Sequence, residues 1–243
     1  MKIYGLIGRS LGHSFSKDYF TKKFIQQQID ASYENYEFED ISRVRTSLEQ
    51  IAGLNGLNVT IPYKTAIIPY LDELDEAARS IAAVNTILIK EGKWIGFNTD
   101  HYGFSTSLKP FLTNKHERAL VLGKGGASKA IQYALKKMGI PFNVVSRTKG
   151  ETALSYEALN AHVIRACKLI INTTPLGMYP DVNTFPPLPY EAINEEHLLY
   201  DLVYNPEKSL FLKMGEERGA SVMNGLDMLK LQAEGSWKIW NEK

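Results

Sequence analysis

Asn58-Val59-Thr60-Ile61-Pro62-Tyr63-Lys64 carries an amide, a hydroxyl and an ammonium where a β-branched run meets a proline. Gly56 to Thr60 reads as a short buried strand, and Pro62 suits the first turn of a following helix, where its missing N–H is no loss. Lys64 then lies on that turn. A strand-to-helix corner of this kind presents polar groups to a small polar molecule. Taken alone, each residue also has a plainer reading, with Thr60 an ordinary strand residue and Lys64 a solvated helix lysine.

Other segments supply comparable groups. Asn85 opens the run Asn85-Thr86-Ile87-Leu88-Ile89, and Gly96-Phe97-Asn98-Thr99-Asp100 closes another β-rich run with an acid at the start of a helix. Ser14 and Ser16 follow the glycine-punctuated turn Gly8-Arg9-Ser10-Leu11-Gly12-His13, itself preceded by an apolar strand from Ile3 to Ile7. Asp100 could be a helix N-cap, and Ser16 could cap a helix from Lys17 to Gln28.

Further on, the strand from Arg118 to Leu122 runs into Gly123-Lys124-Gly125-Gly126-Ala127, after which Ala130, Ile131, Ala134, Leu135 and Met138 recur at helical spacing. Strand, tight turn and helix make the first half of a dinucleotide-binding unit. Gly123 permits the turn, Gly125 and Gly126 let the backbone approach a pyrophosphate, and the helix N-terminus offers N–H groups to the anion. The next strand, Phe142 to Val145, leads to Ser146-Arg147-Thr148, where an NAD site would carry an acid about 20 residues beyond the loop. An arginine pairs with a 2′-phosphate that an acid would repel, which favours NADP. Lys124 could add a phosphate contact or point to solvent.

The elements that position these groups form two sets. Before residue 101, strand-like runs at Lys2–Ile7, Tyr33–Glu39, Gly56–Thr60 and Asn85–Lys90 alternate with helix-like ones at Arg43–Ile51 and Leu71–Ile81, which predicts an open α/β domain with a mostly parallel sheet. Leu226, Met228, Leu229 and Leu231 make Gly225 to Trp240 an amphipathic helix, expected to return to that domain. The expected division is 1–100 with 225–243, and 101–224. Gly150 interrupts the helical pattern between Thr148 and the strand at Lys168–Ile171, so the crossover helix is predicted to be shortened or absent.

Composition narrows the partners. Lys plus Arg at 28 against Asp plus Glu at 27 gives a formal charge of +1, with no electrostatic footprint for nucleic acid or an anionic membrane. No signal-type leader is expected, since Met1-Lys2 runs straight into a strand pattern, and no apolar run nears the ~18 residues of a membrane span. Cys167 is the one cysteine, so no internal disulfide forms, and a cytoplasmic protein is expected. The five histidines, at 13, 101, 116, 162 and 197, lack short metal-ligand spacing, so no metal site is expected.

The chain resembles the shikimate dehydrogenase family over nearly its whole length. The matching segments are the Ser14-x-Ser16 turn, Asn58 to Lys64, Ala83-Val84-Asn85-Thr86, Gly96 to Asp100, Gly123 to Ala127, Asn172-Thr173-Thr174-Pro175-Leu176-Gly177-Met178, Tyr200-Asp201-Leu202-Val203-Tyr204-Asn205-Pro206, and the last helix with Gly225, Met228 and Gln232. The resemblance implies an N-terminal α/β substrate domain and a Rossmann-type NADP domain, with the active site in the cleft between them. It also implies NADPH-dependent reversible reduction of 3-dehydroshikimate to shikimate in aromatic amino-acid biosynthesis, by a monomer or homodimer acting on a small molecule.

By the same resemblance, Ser14, Ser16 and Thr60 hold the substrate carboxylate, Asn85, Asp100 and Gln232 fix ring hydroxyls, and Asn58 and Tyr204 complete the substrate site. Lys64 is the candidate general acid and base, or an electrostatic stabiliser, with Asp100 as its catalytic companion. The cofactor positions are Gly123, Lys124, Gly125, Gly126, Ala127, Ser146, Arg147, Thr148, Thr173, Leu202, Gly225 and Met228. Ser146 replaces the family's usual asparagine, and Lys124 stands where alanine is common. The short crossover implies a more open adenine side and weaker NADP binding. Two alternatives stand beside this reading. A broader quinate/shikimate dehydrogenase would use NAD and carry an acid where Arg147 stands; a non-catalytic NADP-binding regulator would have no evident need for both Lys64 and Asp100.

Overall fold

The computed structural model describes residues 1–12, 14–147 and 153–242. The chain divides into two compact α/β units, Met1–Thr99 with Ala233–Lys243, and Asp100–Gln232.

The first unit contains, in order, β1 (Lys2–Gly8), α1 (Phe15–Gln26), β2 (Ala31–Glu37), α2 (Val44–Leu48), β3 (Leu54–Val59), α3 (Tyr63–Ala66), β4 (Glu73–Leu74), α4 (Glu76–Ile81), β5 (Thr86–Lys90) and β6 (Lys93–Phe97). They form a sheet of order β2-β1-β3-β5-β6-β4. β1 runs parallel to β2 and β3, but β5 is antiparallel to both β3 and β6, so the sheet is mixed where a mostly parallel one is predicted. The reversal is a tight β5–β6 hairpin with Glu91 at φ 52° and Gly92 at φ 77°. Positive φ at both turn residues matches the right-handed strand twist, and a glutamate at the first of them hides the turn from sequence reading.

Local capping explains the other differences. α1 starts at Phe15 and not Lys17 because Ser14, not Ser16, is its N-cap, accepting a hydrogen bond from the Lys17 N–H at 3.2 Å. α4 covers only the end of the predicted Leu71–Ile81 helix. The Asp72 carboxylate accepts from the Trp94 N–H at 2.7 Å, which holds the preceding segment against β6, and Asp75 caps the helix at the Ala78 N–H at 2.8 Å. Of the predicted Arg43–Ile51 helix, α2 keeps the middle, after a 3₁₀ turn at Ile41–Arg43.

The second unit contains α5 (Asp100–Leu108), β7 (Ala119–Leu122), α6 (Gly126–Lys137), β8 (Phe142–Ser146), β9 (Ala153–Ser155), α7 (Ala161–Ala166), β10 (Leu169–Asn172), β11 (Leu198–Asp201), α8 (Leu210–Glu216), β12 (Ser221–Met223) and α9 (Leu226–Glu242). Its sheet has the order β12-β11-β10-β7-β8-β9, and every pairing is parallel. This is the doubly wound order of a Rossmann fold, in which the chain reverses direction across the sheet between β7 and β10. α6 buries Ala130, Ile131, Ala134 and Leu135, the apolar stripe seen in the sequence. Residues 147–152 alone separate β8 from β9, and the described residues then hold a 3₁₀ turn at Tyr156–Ala158 and the short α7. No full crossover helix occurs among the described residues between β8 and β10; Thr148, Lys149 and Gly150 lie outside them.

α9 begins in the second unit and belongs to the first from Ala233 onward. In the second unit, a Cβ on Gly103 would lie 2.6 Å from the Met228 carbonyl oxygen, so glycine is what lets α5 reach the α9 backbone. In the first, Trp240 stacks on Tyr4 with ring centroids 4.7 Å apart. No helix among the described residues is long and apolar enough to cross a membrane.

Candidate substrate and cofactor sites

In the first unit the register gathers the polar segments. Asn58 pairs with Thr86, and Thr86 with Phe97, so the residues after β3, before β5 and after β6 emerge together at the carboxyl ends of the parallel strands β1 and β3. In open α/β sheets that end is where ligands bind. Asn58 is buried, and both ends of its amide are engaged by protein. Its Nδ2 donates to the Asn85 carbonyl (3.1 Å), Thr86 Oγ1 (3.3 Å) and Ser236 Oγ (2.9 Å), while Oδ1 accepts from the Tyr33 hydroxyl (2.8 Å). Asn58 therefore holds its neighbours in place. Asn85, also buried, clamps Thr99: Oδ1 accepts from the Thr99 N–H at 2.7 Å and Nδ2 donates to Thr99 Oγ1 at 2.9 Å. The clamp fixes the chain immediately before Asp100, which opens α5 and is buried.

Pro62 precedes α3 and Lys64 is its second residue. The Lys64 carbonyl accepts from the Val84 N–H at 2.7 Å, which moors α3 to the segment leading into Asn85. The Thr60 N–H donates to the Ile7 carbonyl at 2.9 Å, joining this corner to the end of β1. Ser16 is buried. Burial pushes the pKa of the Tyr33 hydroxyl up, and Ser16 lowers it against that larger push. Ser236, Thr86 and Tyr33 were not legible as members of this network. Ser236 in particular reads as a polar residue of an amphipathic helix, yet its Oγ lies 2.7 Å from Thr86 Oγ1.

In the second unit Gly123 to Ala127 follow β7, Ser146 and Arg147 end and follow β8, Thr173 follows β10 and Leu202 follows β11, all at the carboxyl ends of these parallel strands; Thr148 lies outside the described residues. Gly123 adopts φ 110°, and a Cβ there would lie 2.7 Å from Thr173 Oγ1, so the turns after β7 and β10 pack directly together at the switch point. Thr173 donates both its N–H (2.9 Å) and its hydroxyl (2.6 Å) to the Leu122 carbonyl. Gly125 is the N-cap of α6 with no side-chain cap, and a Cβ on it would meet nothing within 4 Å. An uncapped helix N-terminus with open approach fits a pyrophosphate, whose oxygens would take the N–H groups a side chain leaves unused. Lys124 is exposed, Ser146 is buried, and Arg147 is exposed just beyond β8.

Leu202 and Gly225 also come together: a Cβ on Gly225 would lie 2.2 Å from the Leu202 carbonyl oxygen. The Met228 side chain is 7% exposed and packs in the core with Phe104, Leu108 and Tyr200, a cluster that Leu202 also packs against. Gln232 is buried and donates to the Leu229 carbonyl at 3.0 Å, and Tyr204 is exposed.

Asn172 and Asp201, legible in the sequence only as members of family-matching segments, form a polar cluster at the Thr173 turn. Asp201 is fully buried; Oδ1 accepts from Asn172 Nδ2 at 2.9 Å and from the Val203 N–H at 3.0 Å, and Oδ2 accepts from the Ser209 hydroxyl. Burial pushes its pKa up to about 6 against the pull of these three donors.

The profile of the shikimate dehydrogenase substrate binding domain matches residues 6–87. Along the full chain, shikimate dehydrogenase (NADP(+)) of Methanococcus maripaludis is 37% identical over 260 aligned positions, which cover 100% of this chain and 92% of that protein. The chain belongs to the shikimate dehydrogenase family. Among solved structures, shikimate 5-dehydrogenase from Thermus thermophilus in complex with NADP(H) and shikimate superposes with a TM-score of 0.89 at 30% identity, covering 100% of this chain and 94% of that one. Quinate dehydrogenase from Corynebacterium glutamicum in complex with NAD also reaches 0.89, at 26% identity, with 100% and 94% covered. The alignment to the Methanococcus family member is longer than the 243 residues of this chain, so that shikimate dehydrogenase carries residues lacking here.

Proposed function

We propose that this protein catalyses the NADP-dependent, reversible reduction of 3-dehydroshikimate to shikimate in aromatic amino-acid biosynthesis. The observation that carries the reading is the uncapped glycine N-terminus of α6 at the switch point of a doubly wound sheet, in a chain of this family. NADPH, when bound, supplies the hydride. Gly123, Gly125, Gly126 and Ala127 hold its pyrophosphate, Arg147 its 2′-phosphate, and Thr173, Leu202 and Gly225 the nicotinamide side.

The protein's own task is to hold the ring and move a proton. Reduction of a ring ketone leaves an alkoxide, and Lys64 delivers the proton to that oxygen; in the oxidative direction it takes the proton back. The carbonyl of Lys64 is tied to Val84, so the root of its side chain does not wander as the ammonium works. Ser14, Ser16 and Thr60 take the substrate carboxylate, with Asn85, Asp100, Gln232 and Tyr204 on the hydroxyls. Asn58 supports Asn85 and Thr86. The reading includes a cytoplasmic protein, monomer or homodimer, with an adenine side left more open by the short crossover.

Absorbance at 340 nm, with shikimate and quinate each crossed against NADP and NAD, tests it. Turnover with shikimate and NADP alone is expected. Comparable rates with quinate or NAD would move the protein to the broader quinate/shikimate group, and none in any combination would overturn the enzymatic reading.

A further inference from the structure

Asp201 has no part in the chemistry above, yet it is a carboxylate with no exposed surface beside the apolar cluster of Leu120, Leu122, Leu199 and Phe211. Burying an ionisable group there is costly unless its bonds achieve something. Its bonds converge on one amide. Asn172 Nδ2 donates to Asp201 at 2.9 Å and to the Leu176 carbonyl at 3.3 Å, while Asn172 Oδ1 accepts from the Thr174 N–H at 3.0 Å and the Thr174 hydroxyl at 2.6 Å. All the polar capacity of that amide thus goes to shaping residues 172–176. A flipped amide would set its NH2 against the Thr174 N–H and its oxygen against the Leu176 carbonyl. A carboxylate at 201 can only accept, so it selects the orientation that holds the turn.

We propose that Asp201 is a positioning residue for cofactor binding: through the Asn172 amide it fixes the Thr173 turn against the glycine loop. The mechanical link continues to the cofactor side, because Thr173 is hydrogen-bonded to Leu122 and touches Gly123. The lower end of the turn is seated by the same carboxylate, since Asp201 binds Ser209 and a Cβ on Gly177 would lie 3.2 Å from Ser209 Cβ. This inference rests on the reading that the turns after β7 and β10 face NADP.

Two substitutions separate positioning from mere packing. Asp201→Asn keeps an oxygen for Asn172 and Val203, and the Ser209 hydroxyl can turn to accept from the new amide. Asp201→Leu has similar volume and removes every acceptor. Calorimetric titration with NADP and, separately, with shikimate should show Asp201→Asn within about twofold of the native protein for both. Asp201→Leu should weaken NADP about tenfold or more, the expected effect of leaving a buried donor unmet, with shikimate affinity unchanged. Native-like NADP binding by Asp201→Leu, or an equal loss of both ligands, would overturn the inference. Failure of the native protein to bind NADP would instead sink the cofactor reading on which it rests. If Asp201→Leu does not fold, Asn172→Asp carries the test: it keeps the acceptor for Thr174 but loses the donor to Asp201, and undiminished NADP affinity in it would equally overturn the proposal.

Discussion

A Cβ on Gly56 would lie 2.2 Å from Nε1 of Trp240, and that indole nitrogen donates to the Ile87 carbonyl at 2.9 Å. The last helix thus seats its tryptophan in a gap that β3 leaves by having no side chain. The same stretch of helix delivers Ser236 to Asn58 and Thr86, so the packing at Gly56 and the polar network at the end of β3 share one support.

Gly56→Ala is accordingly expected to lower unfolding stability by about 1–3 kcal/mol, the usual cost of forcing a methyl group into a filled site. Urea unfolding followed by tryptophan fluorescence reads it. An unchanged midpoint would mean that the tryptophan shifts freely and that the contact does not constrain the helix.

Lys64 lies at the corner where the sequence reading places the proton donor. If it transfers the proton, Lys64→Ala should reduce kcat by roughly 10² to 10⁴-fold with a milder effect on KM. A rise in KM with kcat preserved would reassign the ammonium to binding.

The parts of this fold that were legible in the sequence are those written locally. The glycine loop and the apolar stripe of α6 lie within a few residues of each other, and the repeat of leucines in α9 needs no partner to be recognised. What escaped depends on pairings distant along the chain. Asp72 reaches the Trp94 N–H and so turns part of a predicted helix into β4, and the β5–β6 reversal rests on a glutamate in a left-handed conformation. In the candidate sites, types and positions were readable but division of labour was not. Asn58 reads like a ligand, yet its amide is bonded to its neighbours in the fold, whereas Asp201, named only within a matching segment, is bonded to the Asn172 amide at the start of a turn.

Arg147 stands just past β8, where an acid would mark NAD. Removing a guanidinium–phosphate bond costs about 1.5–3 kcal/mol, so Arg147→Ala should raise KM for NADP roughly ten- to a hundredfold and leave KM for NAD nearly unchanged. Equal changes for both cofactors would show that Arg147 does not read the 2′-phosphate.

Asp201 also sets a pH dependence of stability whose sign follows from its burial. The folded-state pKa is about 6, above the ordinary carboxylate value of 3.8. Between those two values the folded protein holds a proton that the unfolded chain has released, so this group's contribution to stability falls as pH rises through that window and is level above it. Asp201→Asn removes the titration. Relative to the native protein, the variant should therefore gain stability from pH 4 to pH 6.5, by at most about 3 kcal/mol for a shift of this size. Urea unfolding of both proteins at pH 4, 5 and 7.5 isolates the effect, because all other carboxylates titrate in both. A stability difference that stays constant across the three pH values would show that Asp201 is ionised throughout, its three donors outweighing the cost of burial.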